Sequence, residues 1–287
     1  MSRIELIVQS IDQLPPFPAI ILRALQTIND PRSSAQDVVD IIQYDQGVTS
    51  QVLKVCNSAY FNLRRQVHSL KEALVFVGFN TLMQIILNRS FQGVLAGPCQ
   101  GYDLDTGALW KHSVSCAILT EIVSQRIQRE PSATQFTAAL LHDMGKVVLS
   151  AFVRETFEEI KTLVREKGYS FIAAEREVLG IDHAELGGLI AEKWKFPLSI
   201  IEAVRYHHTP WLCRGEDPDL VALIHLANCM ALITGIGGGS DGLYYEGDPE
   251  IMKQFHLREK DVEKCIVQLT DRLRVVESWL SEKDHGL

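Results

Sequence analysis

Apolar residues along this chain recur mainly at spacings of three and four, as in Ile20, Ile21, Ala24, Leu25 and Ile28, and the strict alternation of half-buried strands is scarce. That period stacks the apolar side chains on one helical face, so the expected fold class is all-α, a helical bundle. Several helix starts carry their own signals: Ser34 precedes Val38 with Asp37 three residues on, Asn80 follows Gly78-Phe79, and Ser132 follows Pro131. Asn29-Asp30-Pro31, Gly97-Pro98 and the glycine-rich run from Gly235 to Gly242 interrupt the periodicity, and the last is expected to be a mobile loop. The segment Glu259 to Trp279 has an apolar face at Val262, Ile266, Leu269, Leu273 and Val276, which predicts a helix docked on this core or in a dimer.

The Gly97-Pro98 break separates residues 1–98, an N-terminal helical lobe, from a second half expected to comprise a lobe over 99–212 and a helical extension over 213–287 that completes it. Eight of the nine histidines follow the break, so any chemistry is expected in the second half. No internal repeat is visible. Pro15, Pro16 and Pro18 predict an extended entry into a packed helix with Phe17 as its apolar anchor. Asp45-Gln46-Gly47 is a turn signal and Asn57-Ser58 a helix-end signal.

Composition narrows the partners. A chain of 287 residues with 46% hydrophobic residues can bury a core without covalent staples. Its 28 basic and 36 acidic residues leave a formal charge of −8, so no broad cationic surface is available for a nucleic-acid backbone, and no direct nucleic-acid partner is expected. Cys56, Cys99, Cys116, Cys213, Cys229 and Cys265 lie far apart without a CxxC pair, which argues against a disulfide framework and a zinc ribbon and for buried thiols in a reducing cytosol. The opening Met1-Ser2-Arg3-Ile4-Glu5 is too polar for a signal peptide, and no later apolar run reads as long enough to cross a bilayer. A cytoplasmic location without a membrane partner is expected.

The most specific local string is Leu141-His142-Asp143-Met144-Gly145-Lys146. On one helix His142 and Lys146 stand four apart and Asp143 and Lys146 three apart, so the ammonium can share a site with the imidazole and carboxylate. Gly145 costs about 1 kcal/mol against alanine inside a helix, which suggests that a backbone or ligand approaches closely there. His112 lies on a helix whose Ala117, Ile118 and Ile122 imply burial of one side. His183 follows Asp182, an N-cap candidate with Glu185 three residues on as a capping box. His207 and His208 close the helix 197–206, and since adjacent helical residues diverge by about 100°, they share a site only if the helix unwinds, which Thr209-Pro210 provides.

Imidazoles and one carboxylate at these positions suit one or two divalent transition metals, iron, manganese or zinc, better than calcium or magnesium. Each piece also has a plain structural reading. A lone buried histidine is more often a hydrogen-bonded core residue, the Asp-Lys pair reads as a solvated helix end, and Glu185 reads as a capping residue. His68, His256 and His285 lie in polar or terminal surroundings and read as surface.

His112 followed by His142-Asp143 resembles the HD superfamily, whose motif is His, then His-Asp, then a late Asp, all on helices. His183, His207-His208 and Lys146 look like the additional positions of its HD-GYP branch, the cyclic-di-GMP phosphodiesterases, but Thr209-Pro210-Trp211-Leu212 has nothing like the Gly-Tyr-Pro signature. The position matching the late Asp is Asn228, within Ile224-His225-Leu226-Ala227-Asn228. With one Asp, two divalent ions would keep a formal charge near about +3, so weak or partial occupancy of the first metal position is the implied consequence. Leu14-Pro15-Pro16-Phe17-Pro18, Ile41-Ile42-Gln43-Tyr44-Asp45-Gln46-Gly47-Val48-Thr49, Leu53-Lys54-Val55-Cys56-Asn57-Ser58-Ala59-Tyr60 and Leu74-Val75-Phe76-Val77-Gly78-Phe79 resemble the opening of HDOD domains. That likeness runs from about residue 14 to residue 212 and implies a signalling output module with a degenerate HD-like lobe.

Two functions follow as expectations. One is a regulatory protein that binds metal or a small phosphorylated ligand and acts on signalling protein partners. The alternative is a metal-dependent phosphohydrolase of a nucleotide or cyclic dinucleotide, with Asp143 ligating or bridging metal and Lys146 steadying the phosphate charge. The metal-ligand candidates are His112, His142, Asp143, His183, His207 and His208, with Asn228 as a weak one. A third reading, a scaffold with a buried polar network and no metal, stays open.

Overall fold

The computed structural model describes residues 3–14, 17–28, 30, 32–58, 60–61, 63, 65–239 and 249–281. Pro15, Pro16, Asn29, Pro31, Ala59, His285 and positions 240–242 of the glycine run therefore lie outside the described residues. Within them every regular element is helical, and an isolated bridge between Cys99 and Leu104 is the only strand-like pairing.

Before Gly97 the chain forms α1 (Arg3–Ser10), α2 (Ala19–Ile28), α3 (Ala35–Ile42), α4 (Gln46–Cys56), α5 (Leu70–Val77) and α6 (Phe79–Leu95). After Pro98 come α7 (Ala108–Arg126), α8 (Ala133–Leu141), α9 (Gly145–Glu155), α10 (Phe157–Lys167), α11 (Phe171–Leu179), α12 (His183–Lys193), α13 (Leu198–Tyr206), α14 (Pro218–Ile233), α15 (Pro249–Gln254) and α16 (Glu259–Ser281). Short polar side chains start many of them. Ser34 and Asp37 form a complete capping box on α3, Ser132 caps α8 through the Gln135 amide, and Asp45 caps α4 through the Val48 amide. Asn80 does not act as a start signal: Gly78, at φ +79°, precedes the first residue of α6, and no side chain caps that end. Asn57 ends α4 and turns its amide to both backbone groups of Val67, at 2.8 and 2.7 Å.

Helix α7 is the axis of the second half. From Leu109 to Ser124 every residue but Lys111 is buried, because α8, α14 and α16 pack around it. The one-sided burial expected from Ala117, Ile118 and Ile122 is thus corrected, since a helix enclosed on all sides has no solvent face to mark with polar residues. Helix α14 is similar, with buried residues running from Leu220 to Asn228. Helix α16 docks on this same core through Cys265, Leu269, Leu273 and Val276.

The apolar core continues across the Gly97-Pro98 break. Its clearest tie is Phe17, whose ring lies 4.7 Å from Phe91, 5.4 Å from Trp194 and 5.1 Å from Phe196. A residue just ahead of α2 is thereby stacked on the turn between α12 and α13.

The stretch 133–155, with mean hydropathy 1.4, is long and apolar enough by composition to cross a membrane, contrary to the sequence expectation. Its window is 83% buried inside the fold, and His142, Asp143 and Lys146 sit in its middle, so it serves as core. Truncating Phe17 to alanine removes the stacked anchor and should cost about 3–5 kcal/mol of unfolding free energy, read as a lower urea midpoint with far-ultraviolet helicity retained in the folded state.

Candidate metal centre

The His142-Asp143 pair does not lie inside one continuous helix. Helix α8 ends at Leu141, residues 142–144 form a turn, and α9 begins at Gly145. The turn keeps near-helical dihedrals at His142 and Met144, so Lys146 still reaches the carboxylate three residues back, with Nζ 2.8 Å from Asp143 Oδ2. The close approach expected at Gly145 is backbone: a Cβ there would stand 1.9 Å from the His183 carbonyl oxygen and 2.8 Å from the Gly187 nitrogen. This contact seats the turn on the first turn of α12 and brings Asp143 and His183 together.

Asp182 caps α12 by accepting the Glu185 amide hydrogen at 2.8 Å. The reciprocal half of the expected capping box is absent, because the Glu185 carboxylate turns instead to Arg205, 3.3 Å away. At the end of α13 the helix unwinds after Tyr206, and the His207 and His208 rings lie 4.0 Å apart, both buried.

Asp143 is the hub of this arrangement. Its Oδ2 lies 3.4 Å from His142 Nε2 and 3.6 Å from His112 Nε2, while Oδ1 lies 3.4 Å from His183 Nε2 and 3.6 Å from His207 Nε2. His208 Nε2 is 3.0 Å from His183 Nε2. Five imidazoles from four segments therefore surround one carboxylate, and none of these residues is more than 8% exposed. Asn228 belongs to the same cluster, with Oδ1 3.0 Å from His112 Nε2.

The outer ring nitrogens fix how the inner ones present themselves. His142 Nδ1 donates to the Ala139 carbonyl and His207 Nδ1 to the Val204 carbonyl, each at 2.7 Å, and His183 Nδ1 donates to Glu175 Oε2 at 2.8 Å. When these rings are neutral, each Nε2 lone pair is left facing Asp143. His142 Nε2, His207 Nε2 and Asp143 Oδ1 are buried without a hydrogen bond. Inward lone pairs held by outward N–H bonds to carbonyl or carboxylate are the arrangement of metal-ligating histidines. The residues present thus fit a divalent transition metal.

Charge divides the rings. Burial would raise the Asp143 pKa, but Lys146 and His142 hold it well below the usual carboxylate range. Burial pulls His142 down, yet the Asp143 charge beside it raises it to about 10. Burial, reinforced by the His142 charge, lowers His207 to about 3, and burial with its two histidine neighbours puts His208 well below the ordinary value. Imidazoles around one carboxylate that split in this way mark a pocket that favours positive charge at some points and naked lone pairs at others.

Lys146 turns inward, with its ammonium on Asp143 and 5.4 Å from the centre of the Tyr102 ring, and only 3% of its surface is exposed. It neutralises the carboxylate and presents no free charge to solvent. Exposed His68 and His256 stand apart from the cluster, as their surroundings suggested.

Several participants carried no sequence signal that was used. Glu175 lies eight residues before His183, on α11, fully buried, and receives both the His183 ring and the Tyr102 hydroxyl. Cys116, one helical turn after His112, places Sγ 3.6 Å from His112 Nε2; burial raises this thiol, but His112 and His142 draw it down to about 6. His225 donates from Nδ1 to the His207 carbonyl at 2.7 Å and so steadies the unwound end of α13. The spacing His112-x3-Cys116 on one helix face could have flagged the cysteine. The loop expected to be mobile is described up to Gly239. Gly237, at φ +62°, is pressed on α7, where a Cβ would meet the Ala108 carbonyl at 2.5 Å and the His112 nitrogen at 2.7 Å.

Comparison with known proteins gives a family and a fold. The model of the HDOD domain matches residues 14–210. An uncharacterized protein of Treponema pallidum (strain Nichols) is 24% identical over 223 residues, which cover 77% of this chain and 43% of that one, so the chain spans under half the length of this relative. Among solved structures, an HDOD domain protein of unknown function from Geobacter sulfurreducens superposes with a TM-score of 0.72 at 24% identity, covering 98% of this chain and 97% of that one. A candidate phosphohydrolase from Shewanella amazonensis SB2B gives 0.68 at 22% identity, with 96% and 98% covered. A candidate signal transduction protein from Marinobacter aquaeolei VT8 gives 0.68 at 20% identity, with 93% of this chain and 59% of that one covered.

Replacing Gly145 by alanine should force α9 and α12 apart and cost about 1–3 kcal/mol as an overpacked contact. The check is a fall in the urea midpoint for Gly145→Ala that a Gly97→Ala control, at a glycine with open space around it, does not show.

Proposed function

The chain belongs to the HDOD domain family, and we propose that it is a regulatory output module of signal transduction whose buried His/Asp cluster holds a divalent transition metal as part of its structure. The observation that carries this reading is the burial of the whole cluster. A hydrolase must admit a phosphate ester to its metal, whereas here His112, His142, Asp143, His183 and His207 are at most 2% exposed and His208 is 8% exposed. Lys146, which would steady a phosphate charge in a hydrolase, is committed to Asp143.

Asp143, His183, His207 and His208 are the residues that would hold the ion. Their ligand atoms all lie within 4.8 Å of one another, and the set of one carboxylate with imidazoles suits iron, manganese or zinc. His112 and His142 stand at a second position, where Asn228 contributes a neutral amide oxygen instead of a carboxylate. A divalent ion there would supply Lewis acidity and a fixed positive charge that ties the α8–α9 turn, the start of α12 and the end of α13 together. Glu175 orients His183 by accepting its Nδ1 proton, and backbone carbonyls do the same for His142 and His207.

A second reading, a metal-dependent phosphohydrolase of a nucleotide or cyclic dinucleotide, is favoured by the shared placement of the five imidazoles around Asp143. In it Asp143 and Lys146 would be the catalytic residues. The protein partners of the regulatory reading would be signalling proteins, in the cytoplasm, where six free cysteines are at home; five of them are buried here.

Metal-loaded protein assayed against cyclic and linear dinucleotides should form no more product than Asp143→Ala; turnover that disappears in that variant overturns the regulatory reading. Protein purified without a nickel column should retain about one equivalent of transition metal, and a metal-free protein of unchanged stability would overturn the structural role of the ion. Glu175→Gln, which weakens the support behind His183, should lower metal affinity by about 10- to 100-fold, measured by competition with a chromophoric chelator.

A further inference from the structure

We propose that His112, Cys116 and His142 form a thiolate-containing metal position beside the one at Asp143, His183, His207 and His208, in which the sulfur supplies the anionic ligand that Asn228 does not. This inference rests on the metal-binding reading of the cluster and extends it to a residue and a metal class of its own.

The geometry is that of a built site. His112 and Cys116 are four residues apart on α7 and face the same way, and His142 reaches them from the turn after α8. Their donor atoms lie within 4.8 Å of one another, and all three residues are buried. Donors about 2.0–2.3 Å from a tetrahedral ion stand about 3.3–3.8 Å apart. His112 Nε2 to Cys116 Sγ is 3.6 Å, His112 Nε2 to Asp143 Oδ2 is 3.6 Å, and His142 Nε2 to Asp143 Oδ2 is 3.4 Å. The carboxylate hub thus closes a fourth vertex with the oxygen that faces away from His183 and His207.

Two further observations point to a ligand. His142 is fully buried and its Nε2, aimed at this point, makes no hydrogen bond. Charge also requires an anion here: Lys146 already cancels Asp143, and Asn228 is neutral, so an ion held by imidazoles alone would sit in a buried, uncompensated positive site. A thiolate halves that excess charge. On binding, the thiol proton leaves to solvent, the His112 ring proton moves from Nε2 to Nδ1 so that the neutral ring turns its Nε2 lone pair to the ion, sulfur keeps its electron pair as the donor, and nothing is oxidised. Sulfur with two imidazoles selects a borderline-soft ion such as zinc or cobalt(II) over manganese or magnesium.

Cobalt(II) is the probe that tests this. Stripped protein reloaded with cobalt should show a sulfur-to-cobalt charge-transfer band in the near ultraviolet. In Cys116→Ser the band should vanish and bound cobalt should fall by about one equivalent, while Cys229→Ser, at the neighbouring thiol 3.7 Å from His225 Nε2, should keep it. Cobalt bound with no such band in the unmodified protein overturns the thiolate position and leaves the metal-binding reading standing. A band lost in Cys229→Ser and kept in Cys116→Ser overturns the assignment of the sulfur. No cobalt bound at all overturns both. The unmodified protein answers the question alone, so a poorly folded variant does not spare the proposal.

Discussion

A carboxylate with essentially no solvent, shared among five imidazoles and one ammonium, is the constraint around which the second half of this protein is arranged. Ionised Asp143 in an apolar interior is tolerable because Lys146 lies 2.8 Å from one oxygen and cancels its charge, while ring nitrogens stand around the other. Those partners come from α7, the α8–α9 turn, the start of α12 and the end of α13. The electrostatic requirement of one side chain therefore fixes the relative placement of four segments, and the Gly145–Gly187 contact is the steric permission for it.

The supporting parts follow from that requirement. Unwinding at His207-His208 lets two adjacent residues face one point, and the His225 ring donates to the His207 carbonyl at that unwound end. Glu175 is a second buried acid, and it is bearable because the His183 ring and backbone amide and the Tyr102 hydroxyl all donate to it. Asn228 satisfies His112 without adding charge.

How much of this was legible in the sequence depended on whether the signal was local. The three- and four-residue period gave the helical class, and serine caps at 34 and 132 marked true starts, because these are settled within one turn of chain. The face of α16 was readable for the same reason. Helix α7 was misjudged as one-sided, since burial on every face leaves no amphipathic pattern. His112, His142, Asp143, His183, His207 and His208 could be named from residue type and family likeness, but only the fold puts them at distances of 3 to 4 Å. Glu175 and Cys116 passed unnoticed because an acid amid Ala174 and Arg176 and a cysteine in an apolar helix look ordinary until their neighbours arrive from elsewhere.

Gly237 leaves the chain with an unusual dependency. Its bare α-carbon lies on the opening turn of α7, against the backbone of Ala108 and His112, so the crossover leaving α14 and the shelf that carries the first histidine share a single steric seat. Giving this glycine a side chain presses on the backbone that carries an imidazole more than a hundred residues upstream. Loop and histidine are in that sense one heritable part, and a graft of either into another scaffold has to carry both.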